Sequence, residues 1–374
     1  MSGIYIHIPF CKSKCAYCDF FSVAILSQKS QYVDFLCKEM ELQKNYLESE
    51  NIETIYFGGG TPSLLSEYEI FSILNSVYKN FSVSQNAEIT FEVNPEGLTL
   101  EYLKILKNFS INRLSVGVQS FFEEDLQFLR RSHSQNEAKI ALQNAINSGF
   151  SNISVDLIYG LPNSDFEKFA KNLEIVFEFQ IPHLSCYHLT FEENTLLFKQ
   201  LREKKFSQIS DQESWNIFEK MIILCESKSY EHYEISNFSL KNYISKHNFN
   251  YWQETKYLGL GAAAHSFNKI SRQWNVQNIK KYFDSLSKSL IPCEIEFLTF
   301  ENQYNEFLMT SLRTFLGINF DDLKLRFGEK LFNKFSQKIQ KFIKNSEMKI
   351  ADNKVFLTNK GKFVSDSIFA ELFE

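Results

Sequence analysis

Apolar positions follow two alternating rhythms through the first half of the chain. Gly3–Ile8 (Gly-Ile-Tyr-Ile-His-Ile) predicts a strand, and Tyr32–Leu47 a helix with Val33, Leu36, Cys37 and Met40 on one face. Thr54–Phe57 predicts the second strand, and Ile70, Ile73, Leu74 and Val77 the face of the helix after it. Strands follow at Ala87–Val93, Arg113–Val118, Ile153–Ile158 and His183–Leu189. Helices are predicted at Leu100–Lys107, Glu123–Arg131, Ala138–Asn147 and Asp165–Phe179, with Gly149 stopping the third of these.

A repeated strand–helix unit implies a parallel sheet with helices outside it. Six units within about 190 residues predict an α/β fold built on a partial (β/α)6 barrel, short of the eight-fold form. Chemistry in such barrels gathers where strands end and loops begin. The first strand is followed by Cys11, Cys15 and Cys18, and the second by Gly58-Gly59-Gly60-Thr61-Pro62, whose backbone can come close to a ligand. The third ends at Glu92 with Asn94-Pro95 beyond, and the fourth runs into Gln119 with Arg131 twelve residues later. The fifth carries Asp156 ahead of Tyr159-Gly160-Leu161-Pro162. Such donors and acceptors suit a zwitterionic cofactor with a ribose and a purine.

The spacing C-x3-C-x2-C can ligate three irons of a [4Fe–4S] cluster and leave the fourth open. An open iron can hold a small molecule through its amine and carboxylate. A structural zinc site would want four ligands, commonly as two spaced pairs. No second pair exists, because Cys37, Cys186, Cys225 and Cys293 are scattered and read as small buried hydrophobes. The glycine loop lacks the Gly-Lys-Ser/Thr of a phosphate-binding Walker loop. His7, His133, His183, His188 and His232 are expected to play no ligand role.

Composition narrows the field further. A net charge of -5 gives no reason to expect nucleic acid or an anionic membrane surface as partner. Seven cysteines, three of them within eight residues, are not a disulfide framework and fit a reducing compartment. The start Met-Ser-Gly-Ile-Tyr lacks a secretory pattern, and no apolar run reaches 18 residues. The expectation is a cytoplasmic protein that is not integral to a membrane. The 38 phenylalanines read as base composition of the gene rather than function.

The motifs Tyr5-Ile-His-Ile-Pro-Phe-Cys11, Phe57-Gly-Gly-Gly-Thr-Pro62, Phe91-Glu-Val-Asn-Pro95, Gly117-Val-Gln-Ser-Phe121 and Asp156-Leu-Ile-Tyr-Gly-Leu-Pro162 occur in this order. Together they resemble the radical S-adenosylmethionine (SAM) family of oxygen-independent coproporphyrinogen oxidases and their relatives. The resemblance implies a cluster on Cys11, Cys15 and Cys18, and SAM contacts from Tyr5, Gly59, Gly60, Thr61, Glu92, Gln119, Arg131 and Asp156. Tyr17, beside the third cysteine, is expected in the same set. The oxidases usually carry another cysteine where this chain has Phe20. The heme-chaperone branch, HemW, is similar to C-x3-C-x2-C-x-F and adds an H-N-x-x-Y-W motif, met here as His247-Asn-Phe-Asn-Tyr251-Trp252.

That branch implies heme as a third cofactor, with His247 as its axial ligand, Tyr251 and Trp252 either against the porphyrin face or packed in a core, and His265 in a neighbouring role. It also implies an acceptor protein for the heme, a respiratory one being a candidate. The enzyme alternative is oxidative decarboxylation of coproporphyrinogen III propionates, and a third reading is radical chemistry on an unrelated substrate. Three regions are expected: a core barrel over 1–235, a connecting segment with the heme motif over 236–294, and a winged-helix-like domain over 295–374. In the last, helices at Glu301–Thr314, Asp321–Phe327 and Leu331–Lys344 precede a hairpin around Asp352-Asn353 and a final helix Val364–Leu372. Its final helix has no basic concentration, so it is expected to act as a lid or docking module.

Overall fold

The protein is described here by a computed structural model covering residues 2–374. Six parallel strands form its centre: β1 (Ser2–Ile8), β2 (Ile52–Gly59), β3 (Val83–Val93), β4 (Arg113–Gln119), β5 (Asn152–Tyr159) and β6 (His183–His188). Helices α1 (Lys29–Leu42), α2 (Glu67–Asn80), α3 (Leu100–Asn108), α4 (Glu123–Leu129), α5 (Gln135–Asn147) and α6 (Phe166–Glu178) lie between them in sequence. After α7 (Leu196–Arg202) and α8 (Asp211–Ser227), the hairpin β7 (Glu231–Glu234) and β8 (Asn237–Ser239) joins antiparallel to β6.

The helix α9 (Lys246–Trp252) leads to β9 (Lys256–Leu260), which pairs parallel with the other side of β1. Strands β10 (His265–Phe267) and β11 (Ser271–Asn275), then α10 (Ile279–Ser287) and β12 (Cys293–Phe297), extend that side. The twelve strands run from β12 to β7 without closing. The strictly parallel rhythm therefore ends at His188. The segment 236–294 contributes strands to both sides of the same sheet.

The two faces of the central strands differ. Leu114, Val116 and Val118 of β4 point outward into an apolar core shared with Leu103, Leu106, Ala141 and Leu142. Inward positions are polar: Glu92, Ser115, Ser154 and His183 stand side by side in register, as do Gly117, Asp156 and Ser185. Parallel strands usually read as continuous apolar runs because both faces are covered. Here one face lines an open interior, where Tyr187 keeps 43% of its surface accessible.

The first helix is Lys29–Leu42 rather than Tyr32–Leu47, although Leu47 is buried. Gln43 is pinned by donating to Glu39 and accepting from Gln273 of β11, and the chain then turns through positive φ at Glu48 and Ser49. Glu39 on that helix's buried face accepts hydrogen bonds from Gly261 N, Asn275 and Tyr282, joining α1 to the added strands and α10.

The last 75 residues have a core of their own. It forms between α11 (Phe300–Arg313), the three strands β13 (Ile318–Asn319), β14 (Met348–Ala351) and β15 (Lys354–Leu357), and α12 (Phe320–Lys344). It is completed by α13 (Asn359–Phe363) and α14 (Ser365–Leu372). Gly328, at φ +82° and ψ 167°, breaks α12 into two helical pieces, as the sequence predicts. Asp352 and Asn353, both at positive φ, make the tight turn that suits a two-residue hairpin. The module rests on the barrel through Arg313, which ion-pairs with Glu234 at 3.0 Å and lies over the Trp252 ring.

Candidate cofactor site

The loop bearing the cysteines is fixed at both ends. Cys11 N donates to Val23 O and Val23 N to Pro9 O, while Ala16 N donates to Leu129 O and Leu197 N to Ala16 O. Around Ala16 and Tyr17 a small apolar cluster of Leu129, Ile158, Leu161, Leu189 and Leu197 anchors the loop across the rim. Cys11, Cys15 and Cys18 are all partly exposed free thiols, and Phe20 beyond them stands 70% exposed.

Two donors aim at the sulfurs: Thr61 Oγ1 at Cys11 Sγ (3.5 Å) and Arg131 Nη1 at Cys15 Sγ (3.4 Å). Burial pushes the Cys11 and Cys18 thiols upward, while Thr61 works the other way at Cys11. Among the described residues no three His, Cys, Asp or Glu side chains converge closely enough to hold one metal ion. A cubane cluster holds its thiolates farther apart than a single ion does. Three unpaired thiols on one anchored loop, with hydrogen-bond donors behind two of them, fit a cluster with three protein ligands.

The remaining rim residues form three hydrogen-bonded groups. Arg131 donates from Nη2 to Asn94 Oδ1 (2.8 Å) and Gly117 O (2.7 Å), and Asn94 Nδ2 donates to Thr61 Oγ1 (3.5 Å). Tyr56 OH donates to Glu92 Oε1 (2.8 Å), and Gly59 N to Glu92 Oε2 (3.2 Å). Burial raises Glu92 to about 7, with Asp156 adding to the rise. Asp156 is raised likewise by burial, while Ser115 Oγ donates to both its oxygens at 3.2 and 3.3 Å. Burial also pushes the Tyr17 hydroxyl up. Gln119 adopts φ +68° where β4 leaves the sheet, bringing its amide Nε2 within 3.2 Å of where a Gly117 Cβ would stand.

The glycine loop is needed first for the protein's own packing. A Cβ on Gly59 would sit 2.4 Å from the His7 ring, and one on Gly60 2.8 Å from the carbonyls of Ile8 and Phe10. The loop thus lies flat on β1, where Gly60 N and Thr61 N donate to Ile8 O and Phe10 O.

His247 lies elsewhere. It is 2% exposed on α9, with its ring near the starts of β1 and β2. Its Nδ1 is 2.8 Å from Thr54 Oγ1 and its Nε2 2.9 Å from Tyr251 OH, so neither nitrogen is free for iron. Its ring stacks on Tyr56 and Tyr5. Burial drives its pKa down to about 3. The helix start is held by Glu88, whose two oxygens accept from Lys246 N (3.2 Å) and His247 N (3.1 Å). Trp252 is engaged by Arg313 and Tyr251 by Tyr257, so the H-N-x-x-Y-W motif forms a packed plug at the strand starts.

Sequence reasoning missed Arg113. Its side chain is 1% exposed at the start of β4, and none of its three nitrogens has a hydrogen-bond partner among the described residues. Thr90 and Asn152, its neighbours in register, also carry an unpartnered oxygen. A basic residue opening a strand is not a signal by itself, because its burial follows from the inward face alone.

Comparison with known proteins now bears on this geometry. Residues 5–176 match the Radical SAM superfamily, and residues 298–364 match the HemN C-terminal domain. The chain is 31% identical over 372 residues to the heme chaperone HemW of Bacillus subtilis, covering 99% of this chain and 98% of that one. The chain belongs to the HemW family. The Escherichia coli HemW is 37% identical over 265 residues, covering 70% of this chain and 69% of that one. Among solved structures, coproporphyrinogen III oxidase (HemN) from Escherichia coli covers 100% of this chain and 90% of its own, with TM-score 0.87 and 23% identity. That likeness shows the fold alone: a radical SAM parallel core with a small C-terminal region. Membership of the superfamily implies a [4Fe–4S] cluster and SAM. Among the described residues no helix is long and apolar enough to cross a membrane.

Proposed function

We propose that this protein binds heme and passes it to an acceptor protein, carrying a [4Fe–4S] cluster on Cys11, Cys15 and Cys18 with SAM at the open iron. The observation that carries the reading is the end-to-end similarity to curated heme chaperones, joined to Phe20 at the position where the oxidases usually have another cysteine. When bound and reduced, such a cluster supplies the electron that cleaves SAM.

The chain's own residues would do the holding. Tyr5, Tyr17, Gly59, Gly60, Thr61, Glu92, Gln119, Arg131 and Asp156 are assigned to SAM. Glu92 and Asp156 offer acceptors inside the barrel, and the Gly59–Thr61 backbone offers close approach. Arg131 donates to Cys15 Sγ and would compensate the negative charge of a cluster held there. The acceptor belongs in the cytoplasm or on a membrane face reached from it, a respiratory protein being the class to try first. The barrel over 1–235, the connecting segment over 236–294 and the C-terminal module over 295–374 would then serve cofactor binding, heme binding and docking respectively.

One assay tests this. Anaerobically reconstituted protein is given coproporphyrinogen III with SAM and a reductant, and separately titrated with heme. Stable heme binding without conversion to protoporphyrinogen is expected. Conversion would establish the oxidase reading instead.

A further inference from the structure

A histidine can ligate heme iron only through a ring nitrogen whose lone pair is free and reachable from outside the fold. The seven histidines of the chain can be sorted on that requirement. His7 is buried between Tyr5 OH at Nδ1 and Phe21 O at Nε2. His183 is buried between Ser154 and Tyr233, and His232 between Lys362 and Ile235 O. His133 is buried against Val118 O and Glu96, and His188 is bonded to Ser214. His247 is closed on both nitrogens. His265 alone is exposed with no hydrogen bond on either nitrogen among the described residues.

Its setting suits a ligand. His265 opens β10 and faces Trp274 across the antiparallel pair with β11, the two rings stacked at 6.2 Å and 28°. Gly259 of β9 packs closely on the His265 backbone, since a Cβ there would fall 2.0 Å from His265 O. Partial burial and the Arg272 charge both disfavour the imidazolium, so the ring stands neutral, the form that binds iron. His265 also lies within electrostatic reach of His7, whose ring touches the cysteine loop at Phe21. The indole stacked on the imidazole would offer aromatic surface beside a bound porphyrin.

We propose that His265, braced by Trp274, is the axial ligand to heme iron, and that the His247 motif positions the barrel rather than the iron. The assignment rests on the heme-binding reading above. It also gives the ligand a place on the strands added to the outer flank of β1.

The test titrates ferric heme into the full chain and records the Soret band, the electron paramagnetic resonance spectrum and Kd for wild type, H265A, H265M and H247A. Circular dichroism verifies folding, and His265, being exposed, can be replaced without disturbing the core. The expected result is a roughly tenfold or greater rise in Kd for H265A, a changed ligand-field spectrum for H265M and a wild-type spectrum for H247A. Added imidazole should restore the histidine-type spectrum to H265A. Wild-type affinity and spectrum in both His265 variants would overturn the assignment while leaving heme binding intact. Absence of heme binding by wild type would overturn the underlying reading itself.

Discussion

The rim of the barrel and its base are built from similar residues and behave oppositely. At the base, His247, Thr54, Tyr251 and Glu88 satisfy one another, and the motif that the resemblance marks as heme-binding is spent on internal bonds. At the rim, three thiols remain partly exposed, and the donors behind them leave their coordinating capacity open. A motif is therefore a poor guide to ligation until its hydrogen bonds have been counted. The atoms with bonds still to make are the ones that can take a ligand.

The comparison can be broken most severely at the rim. Replacing Cys15 by Ala should abolish cluster assembly, read as iron and sulfide content after anaerobic reconstitution, with little change in thermal unfolding of the apoprotein. An intact cluster in C15A would remove the rim as the metal site. Gly59→Ala comes next. Its Cβ meets the His7 ring at φ +105°, so a loss of about 2–3 kcal/mol is expected in denaturant unfolding. At the base, His247→Ala leaves Thr54 and Tyr251 without partners and should cost about 2 kcal/mol. A stability loss near zero would mean that the plug is not what holds the strand starts together.

A finer effect concerns Glu92. Its folded pKa of about 7 exceeds the ordinary carboxylate value of 4.5, so the folded state binds the extra proton between those limits. Stability from this group is complete below about pH 4.5 and declines as pH rises to about 7, by about 3 kcal/mol. Glu92→Gln should flatten that slope, measured as urea midpoints across pH 5 to 8 against wild type. An unchanged slope would show that Glu92 is not held as a neutral acid in the rim network.

Much of this was legible in the chain. The six central strands were visible because β-branched and aromatic runs alternate with helical apolar faces. Glu92 and Asp156 fall near strand ends on the inward face by register, and Gln119 and Arg131 stand beside Gly117. The added strands were less visible. Cys293-Glu-Ile-Glu-Phe297 is largely exposed, and β11 buries Gln273 and Asn275 against Gln43 and Glu39 rather than against apolar groups. A strand whose buried face is polar carries no hydrophobic period. His265 was legible only as a neighbour of the heme motif: the saturation of the other histidines, a property of the fold, sets it apart.

The pairing of β1 with β9 has a consequence for how the protein is made. Ser2–Ile6 can find Lys256–Leu260 only after some two hundred and fifty residues have left the ribosome, a contact of very long sequence separation. Until then β1, the strand that ends in the cysteine loop, is an outer edge with an unpaired side. The strand that leads into the cysteine loop is therefore covered on that side late in synthesis, and a nascent chain arrested before residue 256 should keep β1 as an open edge.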